Sequence, residues 1–194
     1  MPHKFDPKNI ERLDNPERAR WQSVERFLEL LHPHERMNYA DIGCGVGYFT
    51  LPVAERIGPH GRVYAVDIQP EMLAELERRA RLRRLTNIIP VRCTEREIPI
   101  ASASVDAACL ANVFHELEDP LIFLREIHRV LKPGGRLFVI DWKPLETPMG
   151  PPLSERIPPE EVLQALRMIG FAQLREHEIY PYHYVIEVRS KEDQ

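Results

Sequence analysis

DIGCGVGYFT, residues 41–50, places three glycines (Gly43, Gly45 and Gly47) within five positions, between a short apolar run and a helical pattern. Such a loop lets a ligand approach the backbone with no Cβ in the way, and the helix after it aims its first amides at the same place. Upstream, Asn38 to Ile42 reads as a strand. Downstream, Leu51, Val53, Ala54 and Ile57 mark the buried face of a helix that Gly58 can close. This is one strand–loop–helix unit.

The chain repeats the unit along most of its length. Arg62 to Val66 is a second strand, after which Pro70 stands where a first helical residue belongs, followed by the apolar Met72, Leu73 and Leu76. Asn87 to Arg92 supplies a third strand. Val105 to Leu110 is a fourth, and its nearly continuous apolar character predicts a central parallel strand covered on both faces. Asp119 and Pro120 open a helix with the stripe Leu121, Leu124, Ile127 and Leu131, which KPGG (residues 132–135) breaks before a strand from Arg136 to Ile140. A helix from Pro159 to Ile169 and two β-type runs split near Pro181 and Tyr182 complete the pattern, the latter predicting an antiparallel hairpin. Strands alternating with helices require crossover connections, so the fold class is α/β: a doubly wound, mostly parallel seven-stranded sheet with a C-terminal antiparallel hairpin. One domain over residues 1–194 is expected. It includes an N-terminal helical segment (1–33), whose stripe Trp21, Val24, Phe27, Leu28 and Leu31 predicts one amphipathic helix from Pro16 to Leu31. It also includes a proline-rich loop (143–159), stiffened by Pro144, Pro148, Pro151, Pro152, Pro158 and Pro159.

Composition narrows the function class. The net charge is -4 with both signs mixed along the chain, which provides no field for a nucleic-acid backbone or an anionic membrane. The run RRARLRR (78–84) lies at a predicted helix end, where basic residues complement the helix dipole; an RNA patch is the alternative. Three cysteines, Cys44, Cys93 and Cys109, form neither a ligand spacing nor a disulfide framework, and no clustered His, Cys or carboxylate spacing suggests a metal. The amino terminus is polar and no stretch is long and apolar enough to span a bilayer, so the expectation is a soluble, cytoplasmic protein acting on a small molecule. A homo-oligomer is compatible with this.

In an open α/β sheet ligands bind outside the carboxyl ends of the strands, which confines the search to a few positions. A nicotinamide-type G-x-G-x-x-G loop is out of register, because Tyr48 and Thr50 occupy the positions it needs. Asp41, two residues before Gly43, would repel a diphosphate but suits a cation, such as the ammonium and sulfonium end of S-adenosylmethionine. Asp67 ends the second strand, where an acid accepts ribose hydroxyls; alternatively it is an exposed acid capping the helix that Pro70 opens.

DIGCGVGYFT (41–50), AVD (65–67), IPIASASVDAACLANVFHEL (98–117) and RVLKPGGRLFVIDW (129–142) together resemble the motif series of class I S-adenosylmethionine-dependent methyltransferases. The likeness is nearest to the small-molecule branch that includes the ubiquinone- and menaquinone-biosynthesis C-methyltransferases. It implies S-adenosyl-L-methionine as cofactor and a Rossmann-like methyltransferase fold. It further implies that Gly43, Gly45 and Gly47 line the methionyl moiety, Asp67 and Ile68 the ribose and adenine, and Asn112 the methionyl side. The family's usual adenine-binding aspartate is replaced at this position by Thr94, so Thr94 or its neighbour Glu95 takes that contact.

Methyl transfer from a sulfonium gains about 7–11 kcal/mol from positioning alone, against about 3–5 kcal/mol from a general base. The candidate bases stand at the fourth and fifth strand ends: His115 and Glu116 in NVFHELED, and Asp141. Each has a plainer reading, His115 and Glu116 as loop-shaping residues and Asp141 as the start of the proline-rich loop. His183, in PYHY, is expected to belong to the terminal hairpin. NVFH stands where many exocyclic-amine methyltransferases carry D/N-P-P-[FYW], and no cysteine follows Cys109 as arsenite methyltransferases require. The expected reaction is therefore methylation of a small organic acceptor by in-line displacement. The alternatives are a catalytically silent S-adenosylmethionine-binding subunit and, more remotely, a nicotinamide-dependent oxidoreductase.

Overall fold

A computed structural model describes residues 15–191. The first fourteen residues of the expected N-terminal segment lie outside that range. Among the described residues the elements run α1 (Arg18–Trp21), α2 (Val24–Leu31), β1 (Asn38–Ile42), α3 (Thr50–Ile57), β2 (Arg62–Asp67), α4 (Pro70–Leu82), β3 (Ile88–Arg92), β4 (Val105–Ala111), α5 (Pro120–Val130), β5 (Leu131–Trp142), α6 (Pro159–Ile169), β6 (Ala172–Glu176) and β7 (His183–Arg189). Short 3-10 turns occupy Phe114–Glu116 and Leu153–Glu155.

The helix boundaries follow from local chemistry. The Asp119 side chain accepts the Ile122 N–H at 3.1 Å and Pro120 fills the first position of α5. Gly58 (φ 74) and Gly170 (φ 103) terminate α3 and α6 in conformations that side chains resist. The expected continuous helix from Pro16 to Leu31 is in fact two. Gln22 leaves helical geometry (φ -138, ψ 64), and Ser23, extended, caps α2 by accepting the Arg26 N–H. A serine competing for a helix start thus overrides an apolar periodicity that ran through it. A second difference is at KPGG, which does not separate α5 from β5. Leu131 already pairs with Val105, and the ladder absorbs the segment through a register shift between Val105 and Ala107.

The sheet order is β3-β2-β1-β4-β5-β7-β6, with β1 to β5 parallel and β7 antiparallel to both its neighbours. As its apolar run predicts, β4 is the middle strand. The period-two alternation sorts side chains to two faces. Tyr39, Val63, Ala107, Cys109 and Phe138 meet α2 and α3, and Ala65 meets Leu73, Leu76 and Ala80 of α4. Ala40, Ile42, Ala108, Leu110 and Val139 meet α5 and α6 on the other face. The basic end of α4 is neutralised locally, since Arg78 and Arg79 pair with Glu75, Arg81 with Glu77 and Arg83 with Glu55. No helix among the described residues is long and apolar enough to cross a membrane.

The chain order reverses between β1 and β4, which opens a crevice at their carboxyl ends. The glycine loop leaves β1 there and Asn112 leaves β4.

Candidate active site

Left-handed backbone and tight packing both demand glycine at the ends of this loop. At Gly43 (φ +71) a Cβ would stand 2.2 Å from Val113 Cγ2, and at Gly47 (φ +94) 2.3 Å from Leu76 Cδ1. The loop is held to β2, because the Gly43 and Cys44 N–H groups donate to Val66 O at 2.8 and 3.0 Å, and the Gly45 N–H donates to Asp67 Oδ2 at 2.8 Å. Asp67 Oδ1 accepts the Gln69 N–H at 2.9 Å. The residue is 8% exposed, so it is no exposed cap: it ties the glycine loop to the start of α4 and keeps lone pairs on both oxygens. Burial raises its pKa against the opposing pull of those N–H groups.

Asp41 lies beneath the loop, 3% exposed, accepting the Thr50 hydroxyl at 2.5 Å. Burial pushes its carboxyl up to about 6, although the Thr50 bond and the Arg18 charge pull it down. Ile68 is half-buried against the α5 side of the core. Thr94 is exposed in a turn where its Oγ1 accepts the Arg96 N–H at 3.2 Å, and Glu95 is half-buried beside it.

Asn112 adopts φ 59 and donates its N–H to Ile140 O at 2.7 Å, which turns its side chain over the crevice. There it meets α1. Asn112 Nδ2 donates to Gln22 Oε1 at 3.1 Å, Gln22 Nε2 donates to Asn112 Oδ1 at 3.3 Å, and Arg18 Nε donates to the same Gln22 Oε1 at 2.9 Å. The Tyr48 hydroxyl donates to Gln22 O at 2.6 Å, and the Arg18 guanidinium lies 3.8 Å above the Tyr48 ring. The break between α1 and α2 thus brings α1 over the glycine loop.

Two candidate bases that the sequence places 26 positions apart form one unit. Asp141 Oδ1 is 2.8 Å from His115 Nδ1, and Asp141 Oδ2 accepts the His115 N–H at 3.1 Å. A carboxylate can only accept, so Nδ1 carries the hydrogen and Nε2 keeps its lone pair. Burial disfavours the imidazolium, but the bond and charge of Asp141, with Glu116 and Glu155, hold the His115 pKa above its ordinary value. Glu116 Oε1 is 3.9 Å from Nε2.

Beyond the pair stands an aromatic wall. Trp142 pairs with His183 across β5 and β7, their rings 4.1 Å apart, and Trp21 of α1 stacks on His183 at 5.5 Å and 8°. His183 is fully buried, and burial, with Arg18, Arg156 and Lys143 around it, lowers its pKa to about 3. Neither of its ring nitrogens nor Trp21 Nε1 has a hydrogen-bond partner. The proline-rich loop wraps Arg156, which donates to the carbonyls of Lys143, Leu145, Met149 and Pro151 and to Thr147 Oγ1, with its guanidinium 5.1 Å over Trp142. His183, Arg156, Arg18 and Gln22 are missing from the sequence-derived candidates.

The donor set suits a nucleoside sulfonium better than a dinucleotide. Two buried acids flank the glycine loop, and Asp67 keeps acceptor capacity for a diol. Residues 40–139 match the methyltransferase domain family. The demethylmenaquinone methyltransferase of Geobacillus stearothermophilus is 33% identical over 95 residues, covering 49% of this chain and 41% of that protein. Its counterpart in Listeria welshimeri is 31% identical over 123 residues, covering 63% and 51%. The chain therefore spans about half the length of the curated relatives it matches. A solved S-adenosylmethionine-dependent methyltransferase from Aquifex aeolicus is 34% identical with a TM-score of 0.91, over 96% of this chain and 100% of that one.

Proposed function

Because this chain belongs to the class I S-adenosylmethionine-dependent methyltransferases, with S-adenosylmethionine as cofactor, we propose that it is one catalytic domain that methylates a small organic acceptor by in-line displacement. The cofactor supplies an electrophilic methyl group on a sulfonium leaving group. In this reading the backbone of Gly43, Gly45 and Gly47 and the side chain of Asn112 hold the methionyl part, and Asp41 balances its positive charge. Asp67 accepts the ribose hydroxyls, Ile68 packs on the adenine, and Thr94 or Glu95 meets the adenine edge.

The observation that carries the reading is the His115–Asp141 pair at the joint end of β4 and β5. His115 Nε2 takes the proton that an acceptor hydroxyl or activated carbon loses as it is alkylated, and Asp141 stabilises the imidazolium that results. Glu116 adds negative charge on the Nε2 side. Trp21, Trp142 and His183 wall the acceptor side, where the unpartnered nitrogens of Trp21 and His183 favour an acceptor with polar atoms on a flat apolar body. The demethylmenaquinone relatives support a ring-bearing acceptor. Three buried free thiols fit a cytoplasmic setting.

Transfer of label from methyl-tritiated cofactor to a panel of small phenols, hydroquinones and carbon acids tests the proposal. Turnover that His115→Ala lowers by about 10²- to 10⁴-fold is the expected result. Cofactor binding with no transfer to any acceptor class would leave a silent binding subunit instead.

A further inference from the structure

His183 carries more chemistry than its packing uses. The imidazole is fully buried between two indoles, stacked on Trp21 at 5.5 Å and 8° and meeting Trp142 at 4.1 Å, yet neither ring nitrogen has a hydrogen-bond partner among the described residues. A phenyl ring would fill the same slot without burying two polar atoms unpaired. Trp21 Nε1, in the ring lying on it, is unpartnered as well. Burial and the charges of Arg18, Arg156, Lys143 and His115 keep the imidazole neutral, so it offers one N–H and one lone pair. With the indole N–H beside them, these groups suit a hydroxyl, which both donates and accepts, or a carbonyl. Position says which oxygen this is. Asp141 and Trp142 are consecutive on β5, so their side chains leave opposite faces of the sheet. Asp141 holds His115 on one side, and Trp142 pairs with His183 on the other. The two imidazoles therefore flank the end of one strand, near enough for the charge of His115 to act on His183.

We propose that His183 is a specificity-determining residue of the acceptor site, binding a hydroxyl or carbonyl oxygen that takes no part in the transfer while the reacting atom lies at His115. The inference deepens the small-acceptor reading and rests on it. The molecules selected are flat bodies with two polar positions, and analogues with one are turned over poorly. Access is past Trp21. That indole is half-buried, and α1, the single helical turn that carries it, has no buried residue, so swinging the ring aside uncovers the imidazole without disturbing the pairing of β5 with β7. An acceptor with the second oxygen then supplies partners to atoms that are otherwise buried unpaired. An analogue without it leaves them so, which is the source of the discrimination.

Transfer of label from methyl-tritiated cofactor to acceptors that differ by one oxygen tests the assignment: benzenediols against phenol, and dihydroxynaphthalenes, with bicyclic bodies of indole size, against 1-naphthol. The unaltered protein should prefer at least one diol to its one-oxygen partner by about 10-fold or more in kcat/KM. His183→Phe, which keeps a ring and removes both nitrogens, should erase that preference by lowering kcat/KM for the diol alone, with S-adenosylhomocysteine affinity unchanged and thermal stability equal or higher. His183→Asn restores a donor and an acceptor; it should recover part of the preference, and it keeps the test decisive if the Phe variant unfolds. No preference in the unaltered protein, equal losses for both members of a pair, or a preference that survives His183→Phe would each overturn the proposal, as would turnover of other acceptor classes with none of the diols. Binding of S-adenosylhomocysteine without transfer to any acceptor would instead bring down the small-acceptor reading, and the proposal with it.

Discussion

Asp141 grips His115 twice, through the backbone N–H at 3.1 Å and the ring Nδ1 at 2.8 Å, so one carboxylate fixes both where the imidazole lies and which nitrogen stays open. Asp141→Asn offers a group that can donate as well as accept and no longer dictates the tautomer. We expect kcat to fall by about 10²-fold or more with S-adenosylhomocysteine affinity unchanged. The pH profile gives a second readout. Since Asp141 holds the His115 pKa above its ordinary value, activity should rise with pH through a midpoint above about 6.5, and the variant's midpoint should lie lower. A midpoint that does not move removes Asp141 from this role.

The same pair makes stability depend on pH with a definite sign. A histidine whose folded pKa is raised contributes stability that is fully present below its unfolded value and lost as pH rises through the folded one. The destabilisation caused by Asp141→Asn should therefore be larger in urea melts near pH 5.5 than near pH 8. Equal losses at the two pH values would contradict this.

Asp41 shifts stability with pH in the same direction, but as a cost that builds and not as a gain that is lost. Its pKa is raised from 3.8 to about 6 by burial, so the folded protein loses stability as pH climbs through that window and carries the full cost above it. A shift of this size corresponds to about 3 kcal/mol at neutral pH. Asp41→Asn keeps an acceptor for the Thr50 hydroxyl and avoids the cost. It should melt higher than the parent at pH 7, lose that advantage below about pH 4, and bind cofactor more weakly. A variant that is no more stable at pH 7 would show that the charge is compensated.

Asp67 joins the glycine loop to the start of α4, where we propose that the nucleoside binds. Asp67→Ala should weaken S-adenosylhomocysteine by about 1.5–3 kcal/mol in calorimetry, the worth of a charge-assisted hydrogen bond. Unchanged affinity would mean that its only role is to hold the Gly45 N–H.

Arg156 holds the 143–156 loop from inside. Arg156→Lys, which cannot reproduce five donations from a planar fork, should cost about 1–3 kcal/mol and make the loop the first site cut in limited proteolysis. Acceptor KM should rise more than cofactor Kd. A loop as resistant as the parent's would assign its rigidity to the prolines alone.

Local patterns carried most of the fold. Capping residues and prolines placed the starts of α4, α5 and α6, and the apolar run 105–110 located the middle strand, because these signals act within a few residues of themselves. The helix from Pro16 failed for a local reason too: Ser23 is extended and caps α2, so the apolar stripe spans two helices. What periodicity cannot encode is partnership at a distance. Gln22 meets Asn112 across 90 positions and His115 meets Asp141 across 26, and in each case the residue type was visible but its mate was not. His183 was assigned to the hairpin, where it does lie; its place against Trp142 comes from β7 pairing with β5.

That pairing sets a timetable for biogenesis. Residues 183–189 leave the ribosome after β5 and β6, yet they fill the gap between them. Until they arrive, the edge of β5 that ends in Asp141 and Trp142 is unpaired and open to association with other nascent chains. A chain cut short before His183 would consequently leave the carboxyl end of β5 without its partner strand and Trp142 without the imidazole that packs on it.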